Sequence, residues 1–547
     1  MRKLCLFLLI LSTFAVAQSK PAARPYDKLN ASIDPERIRQ QDRFLSHDLL
    51  EGRGTGQRGG DIAAEYFATQ LALDGIKPGG ENGTFMQAVP LVGVTTLPDS
   101  TFTFTTAKGQ QMPLKFKDEW VAYNETLTDR ADVDGDVVFV GYGIEAPEYK
   151  WNDYKDVDVR GKVLLMLVNE PTADPNLFTG RALTYYGRWT YKYEEAGRKG
   201  AAAVVLIHQT DMASYGWDVV RNSNSGEKAF IRDDQPHTKS AGWIQLEVAR
   251  KLVAASGLDL DQLMKEAQSR DFRPKALNAH LKATLVSKVR PMKSNNVIGY
   301  IPGSDPKLKD EAVFYSAHYD HLGIRPEMPG DNIFNGADDN GTGVAMVLEM
   351  AHAFAMSPQK PKRSIWFAFV TAEEQGLRGS EYLGKNPPIP ANRIVLALNY
   401  DDIAPIGIPE ETEVVGSERT DFYPVVQATA KDFNLAIRPD SRPEAGHFYR
   451  SDHFSFARVG IPSFSINQGV RFEGHPAEWG VAQQKDYNDN HYHQPSDEYS
   501  PNMIFTGNAK MARFGVALGW QAANLAAPIH WKAGDEFEKA RQNSKTQ

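Results

Sequence analysis

Residues 312–317 read AVFYSA and lead directly into His318. A run this apolar, bounded by polar residues, is typical of a strand that is covered on both faces of a sheet. Further along the chain, the pattern predicts a helix over 343–354 and two more buried strands over 364–371 and 394–400. This order predicts an α/β domain with a mostly parallel central sheet flanked by helices. In such sheets, ligands bind outside the carboxyl ends of the strands.

Potential metal ligands follow each of these strands. His318 comes directly after the first strand, and Asp401 comes directly after the third. The second strand leads into two adjacent carboxylates, Glu373 and Glu374. A single histidine or carboxylate is more often a surface residue than a ligand. Their coincidence at successive strand ends predicts that they belong to one site.

Two loops add further candidates. Residues 336–343 read GADDNGTG and form a carboxylate-rich loop before a helix, and His493 lies in the loop 492–497. Imidazole and carboxylate groups suit zinc, and a zinc site that keeps a position for water is catalytic. Two histidines and three carboxylates suffice for two metal ions if one carboxylate bridges them. The sequence therefore predicts a catalytic two-zinc site.

The adjacent glutamates are expected to have different roles. Neighbouring residues at a strand end point in different directions, so we assign Glu374 to the metal and Glu373 to the general base. Asp320, two residues after His318, is a candidate acceptor that fixes the tautomer of the His318 ring through its second nitrogen. The alternative for Asp320 is a surface carboxylate.

The first residues predict export. Arg2 and Lys3 precede an apolar run that ends in small residues near Ala17, which is the pattern of a cleaved signal peptide over 1–17. The run is shorter than the roughly 20 residues that span a bilayer, so no stable membrane insertion is expected after cleavage. A periplasmic or secreted protein is predicted. Because Cys5 is the only cysteine of the chain and lies in this segment, cysteine catalysis and disulfides are excluded for the mature protein.

The charge of the chain argues against nucleic acid as a partner. The formal net charge is −8, and lysine and arginine form no basic block. Proteins that bind nucleic acid or anionic membranes carry a concentrated positive patch. The overall charge favours a neutral or cationic substrate.

A separate unit is predicted between 118 and 287. The compact apolar runs 137–140, 163–168 and 203–207 are bounded by turn signals and indicate buried strands. A helix is predicted over 61–74, and short alternating runs favour strands over 89–116. The predicted organisation is a signal peptide (1–17), an N-terminal part of the main domain (18–117), the inserted unit (118–287), the catalytic domain (288–527) and a polar C-terminal tail (528–547).

These motifs resemble the co-catalytic zinc aminopeptidase family that includes bacterial leucyl aminopeptidases, with glutamate carboxypeptidase II and transferrin receptor as distant relatives. The resemblance covers most of the mature chain. It rests on 317–320, 336–340, 373–374, 399–401, 451–453 and 492–495. The inserted unit resembles a protease-associated domain, through 161–163 and 195–201.

The resemblance implies a role for each matched residue. Asp338 would bridge two zinc ions, His318 and Asp401 would hold one, and Glu374 and His493 would hold the other. Glu373 would be the general base. Family members stabilise the oxyanion with a tyrosine, for which Tyr492 is preferred and Tyr449 is the alternative.

The expected function is that of an exported two-zinc peptidase acting on peptides or proteins, with aminopeptidase as the commoner activity of the family. Two alternatives stay open: a single-zinc acyltransferase of the glutaminyl cyclase type, and a receptor-like protein without catalysis on the same scaffold. The loop 471–487, with Phe472, His475 and Trp479, is either a wall of the substrate pocket or a surface loop. Side-chain preference and oligomeric state are not predicted.

Overall fold

The structure is a computed structural model that describes residues 24–178, 180, 182–213, 215–326, 328–440 and 443–544. The predicted signal peptide therefore lies outside the described residues. None of the helices in these ranges combines the length and the apolar content needed to cross a lipid bilayer.

The strands, in chain order, are β1 (Lys77–Pro78), β2 (Met86–Thr96), β3 (Thr101–Thr105), β4 (Gln111–Pro113), β5 (Trp120–Tyr123), β6 (Arg130–Phe139), β7 (Glu145–Ala146), β8 (Trp151–Asn152), β9 (Val163–Leu167), β10 (Ala203–His208), β11 (Glu227–Ile231), β12 (Ser240–Gln245), β13 (Lys275–Ile301), β14 (Ala312–His318), β15 (Gly323–Ile324), β16 (Ile333–Phe334), β17 (Ser364–Val370), β18 (Ile394–Tyr400), β19 (Glu411–Val415), β20 (Ala436–Ile437) and β21 (Ser463–Gln468).

The α-helices, in chain order, are α1 (Asp27–Ala31), α2 (Pro35–Leu45), α3 (Arg58–Leu73), α4 (Trp189–Arg198), α5 (Thr210–Ala213), α6 (Trp217–Asn224), α7 (Leu246–Ala255), α8 (Leu260–Glu266), α9 (Gly343–Met356), α10 (Arg378–Lys385), α11 (Tyr423–Asp432), α12 (His453–Arg458), α13 (Ala477–Asn490), α14 (Thr506–Asn524) and α15 (Glu538–Asn543). The helices predicted over 61–74 and 343–354 are confirmed as α3 and α9.

The main sheet has a parallel centre. β14 lies between β17 and β18, and β18 pairs with β21, all in parallel. On the flanks, β13 runs antiparallel to β17, and β19 runs antiparallel to β21. Every residue of β14, β17 and β18 is buried, and each fully buried Val, Leu, Ile or Phe side chain stabilises the fold by about 1.5–3 kcal/mol. The predicted α/β fold with a mostly parallel central sheet flanked by helices is confirmed.

A second sheet carries the inserted unit. β6, β9, β10 and β12 run parallel, which confirms the strands predicted from the apolar runs in this region. The 27-residue strand β13 connects the two sheets. Residues 275–286 of β13 pair with β6 and, over part of this range, with β3, whereas residues 287–301 pair with β2 and β17.

The second sheet begins before the predicted boundary at residue 118. β3 and β4, which the sequence analysis assigned to 18–117, pair with β13 and with each other in the sheet of the inserted unit. The alternating Thr and Phe residues of β3 indicate a strand, but such a pattern does not identify the strand with which it pairs.

The C-terminal segment packs against the main domain. Trp531 and Phe537 are buried in an aromatic cluster with Phe448, Tyr449 and Phe454. Arg419 forms ion pairs with Asp535 and Glu536 of this segment. The segment predicted as a polar tail therefore contributes buried aromatic side chains, although its overall composition is polar.

Candidate metal centre

One group of possible ligands forms where β14 and β18 end. Nε2 of His318 lies 3.0 Å from Oδ1 of Asp401 and 3.3 Å from Oδ1 of Asp339. One ligand atom from each of these three residues lies within 4.8 Å of the other two. The group lies at the carboxyl end of the parallel strands, which is where ligands bind in such sheets.

A second group lies on the other side of Asp339. Nε2 of His493 lies 3.1 Å from Oε2 of Glu374 and 3.3 Å from Oδ2 of Asp339. Nδ1 of His321 lies 2.8 Å from Oε1 of Glu374. Ligand atoms of His321, Asp339 and Glu374 again lie within 4.8 Å of one another. The two carboxylate oxygens of Asp339 thus face different groups.

The residue between the two groups is Asp339, and the sequence-based assignment of Asp338 to this position is corrected. The backbone N–H groups of Asp338 and Asp339 donate to the two carboxylate oxygens of Asp497, at 2.9 and 3.1 Å. The side chain of Asp338 is buried, and its Oδ1 has no hydrogen-bond partner among the described residues. Its charged neighbours include Asp42 and Asp497. Asp338 and Asp339 are adjacent, and the sequence-based assignment took the first of them instead of the second.

The loop before Asp339 requires glycine. Gly336 has a φ of +58°, and a Cβ at this position would lie 2.3 Å from the backbone oxygen of Asp339 and 2.7 Å from the ring of His321. Only glycine adopts this backbone conformation without strain and leaves room for both neighbours. Gly336 therefore lets the loop bring Asp339 close to His321.

The hydrogen bond of His318 indicates a positive charge between its ring and the carboxylates. Nδ1 of His318 lies 3.1 Å from the backbone oxygen of Asp320. A carbonyl oxygen only accepts, so Nδ1 carries a proton and Nε2 is the nitrogen that faces Asp339 and Asp401. Two carboxylates this close to Nε2 require a positive charge on that side of the ring, which either a proton on Nε2 or a bound metal ion supplies. A divalent metal ion fits this set of nitrogen and oxygen donors.

The role expected for the Asp320 side chain is corrected. The backbone oxygen of Asp320, rather than its carboxylate, contacts His318. The carboxylate instead accepts hydrogen bonds from the backbone N–H of Glu373, at 3.0 Å, and from Oγ1 of Thr55, at 2.8 Å. Asp320 is fully buried, so the alternative of a surface carboxylate is also wrong. It connects the loop after β14 to the loop after β17.

Unpartnered atoms in the second group support the same conclusion. Nδ1 of His321 and Oε1 of Glu374 are 2.8 Å apart, yet neither forms a hydrogen bond of acceptable geometry. Buried polar atoms without a partner are costly and are rare in native proteins. Two such atoms this close to each other and to Asp339 are arranged as ligands that share an ion.

Carboxylates concentrate negative charge around the first group. Burial opposes a charge on His318, but Asp401 and Glu373 outweigh it and raise the pKa of the imidazole well above its usual value. Burial also raises the pKa of Glu373 well above its usual range, and the neighbouring Glu374 and Asp401 raise it further. A bound cation would neutralise this excess negative charge.

The turn after β17 separates the two glutamates. Ala372 has a φ of +56°, which is unusual for a residue with a side chain. The backbone N–H groups of Gly376 and Leu377 both donate to the carbonyl oxygen of Glu373, at 2.8 Å. Glu374 joins the second ligand group, while Glu373 lies beside the groups and lines the adjacent cavity.

The inserted unit supports this turn. Nζ of Lys228 on β11 donates to the backbone oxygen of Glu374 at 3.2 Å, and the backbone N–H of Ala229 donates to Oε1 of Gln375 at 3.0 Å. Lys228 is buried, and burial lowers the pKa of its amine to about 8. The inserted unit therefore contributes directly to the position of Glu374.

Of the two candidate tyrosines, Tyr492 is adjacent to the ligand groups. Its ring stacks on the imidazole of His493 with a centroid distance of 4.0 Å, and it lines the same cavity as Glu373. The hydroxyl of Tyr449 donates to Oε1 of Glu536 at 2.6 Å. The hydroxyl of Tyr449 is therefore occupied by a hydrogen bond to the C-terminal segment. Of the two tyrosines, Tyr492 is the better placed to donate to a substrate oxyanion.

Sequence reasoning missed His321 and left the loop 471–487 open between two alternatives, of which the structure does not support the wall of the substrate pocket. His321 follows His318 by three residues, one residue beyond the matched stretch 317–320, and no spacing rule for this loop indicated that its ring turns inward. Phe472, His475 and Trp479 are not among the residues that line the cavity beside Glu373. His475 instead stacks on Trp479, and Phe472 packs edge-on against Trp479.

Residues 296–512 match the model of peptidase family M28. Over this segment, called the M28 segment below, the chain is similar to the M28 peptidases. The match includes every residue of the two ligand groups, and it confirms the predicted relationship to zinc aminopeptidases for this part of the chain. The assignment of the inserted unit as a protease-associated domain stays a prediction.

Several curated proteins are similar to this chain, and their names describe enzymes. The chain is 29% identical to leupeptin-inactivating enzyme 1 of Streptomyces exfoliatus, over 44% of this chain and 51% of that protein. It is 26% identical to a protein named "probable leucine aminopeptidase 2" of Aspergillus oryzae, over 74% of this chain and 71% of that protein. The chain spans about half the length of the first curated relatives it matches.

The overall fold also occurs in a solved structure. The aminopeptidase from Aneurinibacillus sp. strain AM-1 superposes with a TM-score of 0.53 at 19% sequence identity, covering 92% of this chain and 98% of that chain. At this level of identity the similarity establishes a shared fold. It extends beyond the M28 segment to most of the chain.

Proposed function

We propose that this protein is an exported zinc-dependent aminopeptidase that binds two zinc ions and releases N-terminal residues from peptides. The observation that carries the proposal is the position of Asp339, whose two carboxylate oxygens face two separate groups of ligands. His318 and Asp401 would hold one ion with Asp339, and Glu374 and His493 would hold the other. The M28 match and the names of the relatives support peptide hydrolysis.

Zinc, when bound, supplies positive charge that acidifies a water molecule and polarises the scissile carbonyl group. Glu373 is placed beside the ligands but outside them, so its carboxylate is free to accept a proton from the attacking water. The same carboxylate then delivers that proton to the nitrogen of the leaving amine. Tyr492 donates a hydrogen bond from its hydroxyl to the oxyanion of the substrate.

The surroundings of Glu373 favour this role. The hydrogen bond from its backbone N–H to Asp320 fixes the start of the turn, and the two hydrogen bonds to its carbonyl oxygen fix the rest. A general base must be held within reach of the proton that it takes.

Peptides with free and blocked amino termini test the proposal. The zinc-loaded protein is expected to hydrolyse Leu-Gly-Gly and to leave N-acetyl-Leu-Gly-Gly intact. Metal analysis of the same sample is expected to give two zinc ions per chain. Hydrolysis of both peptides would contradict aminopeptidase activity, and hydrolysis of neither would contradict the proposed function as a whole. One zinc ion together with cyclisation of an N-terminal glutamine would instead support the glutaminyl cyclase alternative.

Export has a test of its own. Mass spectrometry of the protein recovered from its native cells is expected to find a chain that begins at Gln18. A mature protein that still begins at Met1 would contradict signal cleavage.

A further inference from the structure

The cavity beside the candidate metal centre is shared by the main domain and the inserted unit. Its volume is about 500 Å³. The M28 segment contributes Glu373, Tyr492 and His493 to its lining, and the inserted unit contributes Arg188 and Tyr215. A substrate bound at the metal centre would therefore also contact the inserted unit.

Arg188 is a cation without a carboxylate partner. Its Nε is buried and has no hydrogen-bond partner, and no ion pair joins its guanidinium to any acidic side chain of the described residues. Its charged neighbours include Arg450 and Glu373. Burial and the charge of Arg450 lower the pKa of Arg188 to about 10, so the side chain stays cationic at neutral pH.

Arg450 is a second such cation in the lining of the same cavity. One of its terminal nitrogens donates to the backbone oxygen of Ala213 at 3.2 Å, and its guanidinium lies 5.7 Å from the ring centre of Tyr215. Its Nε is buried and has no hydrogen-bond partner, and within the described ranges it forms no ion pair with a carboxylate. The next residue, Ser451, donates to Oδ2 of Asp401 at 2.5 Å, which places Arg450 near the first ligand group.

Four other cations that line the cavity differ because acidic side chains of the protein pair with them, and Lys228 instead donates to the backbone oxygen of Glu374. Arg198 pairs with Glu194 and Glu195, and Arg458 pairs with Glu194. Arg378 and Lys385 pair with Glu381. Two neighbouring guanidinium groups in a buried cavity repel each other, and this arrangement is costly unless an anion lies close to both. The pair Arg188 and Arg450 is thus suited to an anionic group of a ligand.

We propose that Arg188 and Arg450 bind a carboxylate of the peptide substrate on the leaving-group side of the scissile bond. In the proposed function, on which this inference rests, Glu373 delivers a proton to the leaving amine. Because Glu373 lies near Arg188, we place the carboxylate on the leaving-group side of the scissile bond. A guanidinium group binds a carboxylate through two parallel hydrogen bonds, which a neutral amide does not reproduce. The carboxylate belongs either to the C-terminus of a short peptide or to an acidic side chain.

Binding to a zinc-loaded Glu373→Gln variant tests the inference without the need for turnover. Leu-Gly is compared with Leu-Gly-NH2 for the C-terminal carboxylate, and Leu-Asp-NH2 with Leu-Asn-NH2 for the side-chain carboxylate. Calorimetry is expected to show that the acidic member of at least one pair binds about ten-fold more tightly than its neutral partner. The pair that shows the preference identifies the source of the carboxylate.

Substitution of the arginines assigns the preference to them. Arg188→Gln and Arg450→Gln, each added to Glu373→Gln, are expected to reduce the ratio of acidic to neutral affinities to about two or less. Arg198→Gln is the matched control, because Arg198 lines the same cavity but is paired within the protein, and it is expected to keep the ratio. Equal binding of both members of both pairs, or a ratio unchanged by both substitutions, would overturn the inference.

The two proposals fail in different ways. If the parent protein hydrolyses neither peptide series while the acidic ligands still bind preferentially to the Glu373→Gln variant, the peptidase function is wrong and the carboxylate site stands. If peptides are hydrolysed but acidic and neutral ligands bind equally, only the carboxylate site is wrong.

Discussion

Oδ1 of Asp339 lies 3.3 Å from Nε2 of His318, and the remaining oxygen of the same carboxylate faces the second group of ligands. The neighbouring Asp338 donates its backbone N–H to Asp497, and its buried side chain belongs to neither group. Two aspartates in adjacent positions are therefore expected to differ sharply in their importance for metal binding.

Asp339→Asn tests this difference. An amide cannot offer two anionic oxygens, so we expect the variant to lose at least one zinc ion and to fall about a thousand-fold or more in kcat/KM. Asp338→Asn is the matched control and is expected to keep both ions. Metal analysis by plasma mass spectrometry and peptide hydrolysis measure the two effects. Loss of zinc from Asp338→Asn with retention in Asp339→Asn would restore the sequence-based assignment.

Glu373→Gln separates proton transfer from metal binding. Glutamine keeps the size and shape of the side chain but cannot accept the proton, so we expect kcat to fall by about a hundred-fold or more. Zinc content is expected to stay unchanged because Glu373 is not among the ligand atoms. Glu381→Gln, in the same cavity but paired with Arg378 and Lys385, serves as the control. Near-normal turnover by the Glu373 variant would show that another group is the base.

His321→Gln tests whether the second group needs a further imidazole. His321 is buried, and its Nδ1 lies 2.8 Å from Oε1 of Glu374, so its removal is expected to weaken zinc binding at this group about 10- to 100-fold. Competition with a chelator measures the affinity. His491→Gln removes a nearby, partly exposed imidazole as the control. Unchanged zinc affinity in the His321 variant would limit this residue to a packing role.

The sheet was predictable from the sequence because β14, β17 and β18 are continuous apolar runs that are buried on both faces. Their ends also placed His318 and Asp401 near each other, since parallel strands present their carboxyl ends at one edge. The register within the 336–343 loop was not predictable. Both Asp338 and Asp339 fit the motif, and only the backbone path after Gly336 determines which carboxylate faces the histidines.

The contribution of the inserted unit to the site was not predictable either. Lys228 and Arg188 lie more than a hundred residues before Glu373 in the chain, and nothing in their local sequence indicates contact with it. The net charge of −8 favoured a neutral or cationic substrate, whereas the cavity holds two arginines that form no ion pair with a carboxylate of the described residues. Net charge describes the whole surface and does not determine the charge inside one cavity.

Lys228→Met tests the support that β11 gives to the turn after β17. The substitution removes the hydrogen bond to the backbone oxygen of Glu374 and so loosens the turn. Because a small misplacement of catalytic groups slows the reaction strongly, we expect kcat/KM to fall about ten-fold or more. Lys239→Met is the control because Lys239 is an exposed lysine of the same unit. If both variants keep the parent rate, the contact between β11 and the turn does not contribute to catalysis.

His453 is expected to make the protein less stable as the pH falls below neutrality. Its ring is fully buried against Phe448, and burial lowers the pKa of the imidazole from 6.5 to about 3. Between these two values the unfolded chain binds a proton that the folded chain does not. Stability is therefore retained above about pH 6.5 and is lost progressively as the pH falls towards 3.

Urea unfolding of the parent protein and of His453→Leu, both in chelator, measures this contribution. One proton corresponds to about 1.4 kcal/mol per pH unit, so the parent is expected to lose about 2 kcal/mol more than the variant between pH 7 and pH 5. His530→Leu removes an exposed histidine and is expected to follow the parent. If His453→Leu loses the same free energy of unfolding as the parent, the imidazole of His453 takes up its proton equally in the folded and unfolded chains.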